Sequence, residues 1–82
     1  MKDDERLRRF LDQVSRALVR SPEDVRVEVH DGRRATRFTV HVADEDRGQL
    51  IGKEGMTVRS LRTLAAISGH RKRRRFEIEI PD

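Results

Sequence analysis

Along this chain the spacing of apolar residues switches between the two periods that secondary structure allows, in an order that leaves few folds open. Leu7, Phe10, Leu11, Val14, Ala17 and Leu18 recur at the i, i+3, i+4, i+7 spacing of one helical face. Asp3, Asp4 and Glu5 precede them, where the positive end of a helix dipole favours carboxylates. Ser21-Pro22 stops this helix, because proline disfavours helical geometry in the residue ahead of it. The period then becomes two. Val25, Val27 and Val29 alternate with Arg26, Glu28 and His30, Asp31-Gly32 gives a hairpin signal, and Thr36, Phe38, Val40 and Val42 continue as a second strand.

Helical signals return at Asp44, an N-cap residue, with Glu45 and Asp46 in the first turn of a short helix over about 44–51 that buries Leu50 and Ile51. Gly52 ends it. A third helix runs from Gly55 or Met56 to Ser68, with Val58, Leu61, Leu64 and Ala65 inward, Arg59 and Arg62 outward and Gly69 as C-cap. Phe76, Ile78 and Ile80 alternate with Glu77 and Glu79 as a last strand. The order is α-β-β-α-α-β, an α+β fold in one domain over residues 1–82. The connection between the second and third strands is long enough for a right-handed parallel crossover. A three-stranded mixed sheet is expected, with its second strand central and the helices packed on one face.

Composition narrows the chemistry. There is no cysteine, hence no disulfide, thiolate nucleophile or sulfur-ligated metal, and the three histidines are dispersed. No metal site and no cofactor are expected. No apolar stretch approaches a membrane span and no leader is evident, so a cytoplasmic protein with no membrane partner is expected. Residues 1–46 hold 10 Lys/Arg and 11 Asp/Glu, a net of −1, whereas residues 47–82 hold 9 and 4, a net of +5. The C-terminal half therefore attracts polyanions, nucleic acid first, unless the charge only solubilises the surface.

Within that half, Gly52-Lys53-Glu54-Gly55 sits between two helices. Paired glycines let the backbone turn sharply without Cβ atoms, so that an anion reaches bare N–H groups at the positive end of the next helix. Lys53 adds a cation, and Glu54 is expected to face solvent. A plain helix-turn-helix corner is the alternative.

The run Leu50-Ile51-Gly52-Lys53-Glu54-Gly55, followed by Thr57, Val58, Leu61, Arg62, Thr63 and Leu64, resembles the signature of KH domains, whose G-x-x-G loop clamps about four nucleotides of single-stranded RNA. With a helix and strand in front, the order resembles the type II KH arrangement, and the length resembles the small stand-alone bacterial KhpA family. The resemblance implies single-stranded RNA as partner and a role as RNA chaperone or post-transcriptional regulator. It also implies a homodimer, or a heterodimer with a KhpB-type KH protein. Its expected RNA contacts are Gly52, Lys53, Glu54, Gly55, Ile51 and Val58, with Arg59 and Arg62 at the rim. The basic segment His70–Arg75, with Arg71, Lys72, Arg73 and Arg74, falls where the resemblance places a variable loop, the opposite jaw of the groove. That run also fits an import-like patch or a solvated loop. Related proteins commonly carry a basic residue after the second glycine, where this chain has Met56.

Phe10, Phe38 and Phe76 all fall on expected core faces, so base-stacking platforms are not expected. A nucleotide-hydrolysing P-loop needs G-x-x-x-x-G-K-[ST], and Gly48-Gln49-Leu50-Ile51-Gly52-Lys53-Glu54 has three intervening residues and ends in Glu. His30 and His41, with Glu28, Arg26 and Arg37 nearby, read as solvent-facing strand residues rather than an acid-base pair. No catalysis and no small-molecule substrate are expected. DNA binding by a helix-turn-helix, or a protein-interaction module with vestigial RNA binding, are the rival readings.

Overall fold

The computed structural model describes residues 2–82, with side chains from residue 4 onward, so the expected role of Asp3 lies outside the described residues. The elements are α1 (Lys2–Leu18), β1 (Arg26–Asp31), β2 (Ala35–His41), α2 (Arg47–Ile51), α3 (Met56–Arg71) and β3 (Arg75–Glu79), with 3-10 turns at Pro22–Asp24, Asp44–Asp46 and Lys53–Gly55. The sheet order is β1-β2-β3. β1 pairs antiparallel with β2 from Arg26↔His41 to Asp31↔Thr36, and β2 pairs parallel with β3 from Ala35↔Arg75 to Thr39↔Glu79. This is the α+β order and the mixed sheet expected from the periodicity.

Alternation puts Thr36, Phe38 and Val40 of β2 and Phe76 and Ile78 of β3 on the buried face. Leu7, Leu11, Leu50, Leu61 and Ala65 from the three helices close over them, with Val14, Leu18, Val42 and Ile80 packed at the edge. Phe38 and Phe76 meet edge to face, with ring centroids 5.3 Å apart.

Several local expectations are corrected. The hairpin reverses at Arg33-Arg34 rather than at Asp31-Gly32; the Gly32 amide donates to Ala35 O at 2.9 Å, and Gly32 has no positive φ. The buried stripe of α1 is centred between Leu11 and Leu18, which leaves Phe10 42% exposed and Ala17 exposed on its flank and buries Ser15 instead. Leu64 and Ile51, expected inward, are also exposed. Leu64 lies three residues after Leu61, about 60° short of a full turn and on the side away from Ala65, which carries it round to the flank of α3.

Asp44 does not cap by its side chain; it opens the 3-10 turn and accepts from Arg47 at 3.2 Å. Asp46 is the structural carboxylate. Buried, it accepts the amides of Arg20 and Ser21 at 3.2 and 3.0 Å and ties the chain leaving α1 to the start of α2. Gly69 is not a cap. α3 continues past it to Arg71, and Gly69 lies buried against β3, where a Cβ would come within 2.6 Å of Arg74 O.

Candidate nucleic-acid interface

The glycine corner follows from how α2 ends and α3 begins. Gly52 closes α2 with φ 84° and ψ 169°, its amide donating to Gly48 O at 2.9 Å. The Gly55 amide donates to Gly52 O at 3.0 Å, and that of Met56 to Lys53 O. Glu54 and Gly55 both have positive φ, 56° and 74°. Gly52 interrupts the helix and the first bond of the 3-10 turn is that of the Gly55 amide, so the amides of Lys53 and Glu54 stand at the turn's first two positions, where no backbone carbonyl of the turn reaches them. Two successive N–H groups at the tip are thus open to an acceptor, next to the start of a 16-residue helix.

Both tip side chains are exposed, including Glu54, as expected. Arg59 folds back so that Nη2 donates to Glu54 O at 3.3 Å, which brings a guanidinium to the corner. Arg62 Nε donates to Ile78 O at 3.3 Å and bridges α3 to β3, one of the two edge strands. Ile51, 36% exposed, is available as an apolar wall, whereas Val58 is buried and is not open to a ligand. Met56 is exposed beside the second glycine.

The basic segment does not face the glycine corner. His70 and Arg71 form the last turn of α3, Lys72–Arg74 the turn after it, and Arg75 starts β3. A helix of this length separates the two clusters by about 24 Å. Arg74 is engaged elsewhere, since Nη2 donates to Thr36 Oγ1 at 2.6 Å, to Asp31 Oδ1 and to Gly32 O, pinning the hairpin to the end of α3. Arg34 joins the basic end here, lining an open cavity with Ala66, His70, Arg73, Arg74, Arg75 and Phe76. Sequence reasoning passed over Arg34, although its own parallel crossover sets the starts of β2 and β3 side by side.

On the outer face of the sheet, His41 Nε2 lies 3.0 Å from Glu28 Oε1, and this contact holds the Glu28 carboxyl below its ordinary range. His30 stands opposite Arg37, at the far end of the hairpin from His41, so the two histidines do not meet. Among the described residues no group of three or more His, Asp or Glu is placed to hold a metal ion, and no helix is long and apolar enough to cross a membrane.

A three-stranded mixed sheet under three helices, with a G-x-x-G corner between the last two and an additional helix and strand ahead of them, defines a KH-type domain in the type II order. The profile of the family described as "KhpA/KhpB, KH domain" matches residues 8–80. The chain belongs to that family. It is 32% identical over 76 residues to "RNA-binding protein KhpA" of Halalkalibacterium halodurans, covering 93% of this chain and 100% of that one. It is 41% identical over 69 residues to the KhpA of Treponema pallidum, covering 84% and 86%, and 41% over 61 residues to that of Mycobacterium bovis, covering 74% and 76%. No solved structure matches the chain at a significant level.

Proposed function

We propose that residues 1–82 act as one KH domain that binds single-stranded RNA at the Gly52–Gly55 corner, without catalysis. The observation that carries this reading is the pair of amides on Lys53 and Glu54 that no carbonyl of their turn reaches, held open by glycines on both sides at the head of α3. Phosphate oxygens meet those amides and the Lys53 ammonium, and Arg59 supplies a second cation. Bases lie between Ile51 and the edge of β3, with Arg62 beneath them. Arg71 and Arg73, at the other end of α3, meet a longer strand; Arg74 serves the hairpin instead. The relatives named as RNA-binding proteins support this reading.

The proposed cellular role is that of an RNA chaperone or post-transcriptional regulator in the cytoplasm, acting with a KhpB-type KH partner or as a homodimer. Met56, Leu64 and Ile67, 59%, 48% and 56% exposed along α3, favour such a protein contact. Duplex DNA reading by a helix-turn-helix is disfavoured because α2 has five residues, too short to brace a recognition helix.

The test replaces Lys53 and Glu54 by Asp and leaves both glycines in place, since Asp tolerates the left-handed conformation of position 54. Affinity for a four-nucleotide RNA is expected to fall about tenfold or more at ~0.1 M salt with the circular dichroism spectrum unchanged. Undiminished affinity, or preference of the wild type for duplex DNA of matched length, contradicts the proposal.

A further inference from the structure

The three phenylalanines divide: Phe38 and Phe76 are buried in the core, whereas Phe10 stands 42% exposed on the flank of α1. It borders a cleft of about 300 Å3 between α1 and the end of α3, lined by Arg6, Leu7, Phe10, Ser68, Arg71 and Lys72. Such a volume is at the small end of sites that hold organic ligands. An accessible ring with cations at its margin is the pairing by which single-stranded nucleic acid is held, the base on the ring and the backbone on the charges. We propose that this cleft is a second RNA contact, in which one base stacks on Phe10 and the adjoining phosphates meet Arg6 and Arg71.

Helix geometry separates this cleft from the glycine corner. At 3.6 residues per turn, Arg59, Arg62, Ala66 and His70 project from one flank of α3, and Leu64, Ser68 and Arg71 from the other. A strand that leaves the corner along the first flank reaches the cleft only by crossing the end of the helix, so a tetranucleotide does not occupy both. At the helix end Gly69 O accepts from the Lys72 and Arg74 amides, and His70 O from that of Arg73.

Charge decides the occupant. Half of the lining residues are cationic, whereas the buried centre of a protein interface is depleted of charge. A second copy docked by two-fold symmetry would set Arg6 and Arg71 against their own like charges.

The inference rests on the RNA-binding reading, and the experiment separates the two. Affinities of unstructured 4- and 12-nucleotide RNAs are compared for wild type, Phe10→Ala, Phe10→Leu, Phe10→Trp and the Lys53→Asp, Glu54→Asp double variant. Phe10→Ala is expected to weaken the 12-mer about fivefold or more and to leave the 4-mer within about twofold. Phe10→Trp should retain the 12-mer affinity and Phe10→Leu should not. Unchanged 12-mer binding by Phe10→Ala overturns the inference, as does full affinity in Phe10→Leu, which would leave the ring an apolar contact only. A changed mass in sedimentation equilibrium for Phe10→Ala, without RNA, also overturns it by making the cleft a protein interface. Failure of the loop reading shows separately, as an unaltered 4-mer affinity in the double variant.

Discussion

Gly52 and Gly55 both have positive φ, but Gly55 sits in the αL region that an L residue can enter, whereas Gly52, with ψ 169°, lies where essentially only glycine goes and also has neighbours where a Cβ would stand. At Gly55 the nearest atom is Arg59 Nη2 at 3.9 Å, so alanine meets backbone strain alone, about 1–2 kcal/mol. At Gly52 a Cβ would stand 2.9 Å from Thr57 N and closer still to the Thr57 side chain, which adds an overlap of about 1–3 kcal/mol. Urea denaturation should therefore rank Gly52→Ala well below Gly55→Ala. Ser15 has the opposite sign. Its Oγ is fully buried without a partner, so Ser15→Ala should raise stability by about 1 kcal/mol in the same assay. Glu5 governs part of the acid response: hydrogen bonds from Arg8, and more weakly Arg9, hold its carboxyl down to about 2 from 4.5. A depressed carboxylate contributes stability that is complete above the unfolded value and lost as pH falls from about 4.5 toward 2. Glu5→Gln should flatten the acid limb of the melting curve in that window. At this scale the glycines of the corner were legible from sequence, since glycine is the residue that enters positive φ at least cost. The exposure of Phe10 was not, because a six-residue apolar face is wider than the strip that three strands cover.

α3 ends without glycine. Arg73 takes the left-handed conformation, with φ 57°, while the Arg74 amide reaches Gly69 O at 2.8 Å and the Arg73 amide reaches His70 O at 3.0 Å, the paired bonds of a Schellman motif. Arg73→Gly removes the strain of an L side chain there and should stabilise the fold by about 1 kcal/mol. The same variant lowers the charge of the basic end, so calorimetry and RNA titration should move in opposite directions. The link between α1 and α2 rests on Asp46, and Asp46→Ala leaves two amides unpaired at a cost of about 2–3 kcal/mol, measured by thermal melting. Element identity and order were legible because the apolar period differs between helix and strand. Helix ends were less so: Gly69 reads as a stop in sequence, but its missing Cβ makes room for β3, and an arginine performs the reversal.

Across the molecule, the parallel pairing of β2 with β3 gathers Arg34 with Arg73 and Arg75 at one end of the sheet, while the glycine corner lies at the other end of α3. The expected two-jawed grip is thus drawn out along a helix, a distance that sequence order does not reveal when the intervening helix extends beyond its apparent stop. About four phosphate contacts on a single strand predict a log–log salt slope near −3 for a short RNA, and a steeper one for a strand that also reaches the basic end. Backbone chemical shifts during titration with a four-nucleotide RNA test the central claim most directly. The amides of Lys53 and Glu54 should shift furthest, together with the first turn of α3. If those two resonances stay in place while amides elsewhere move, the phosphate-binding corner is contradicted.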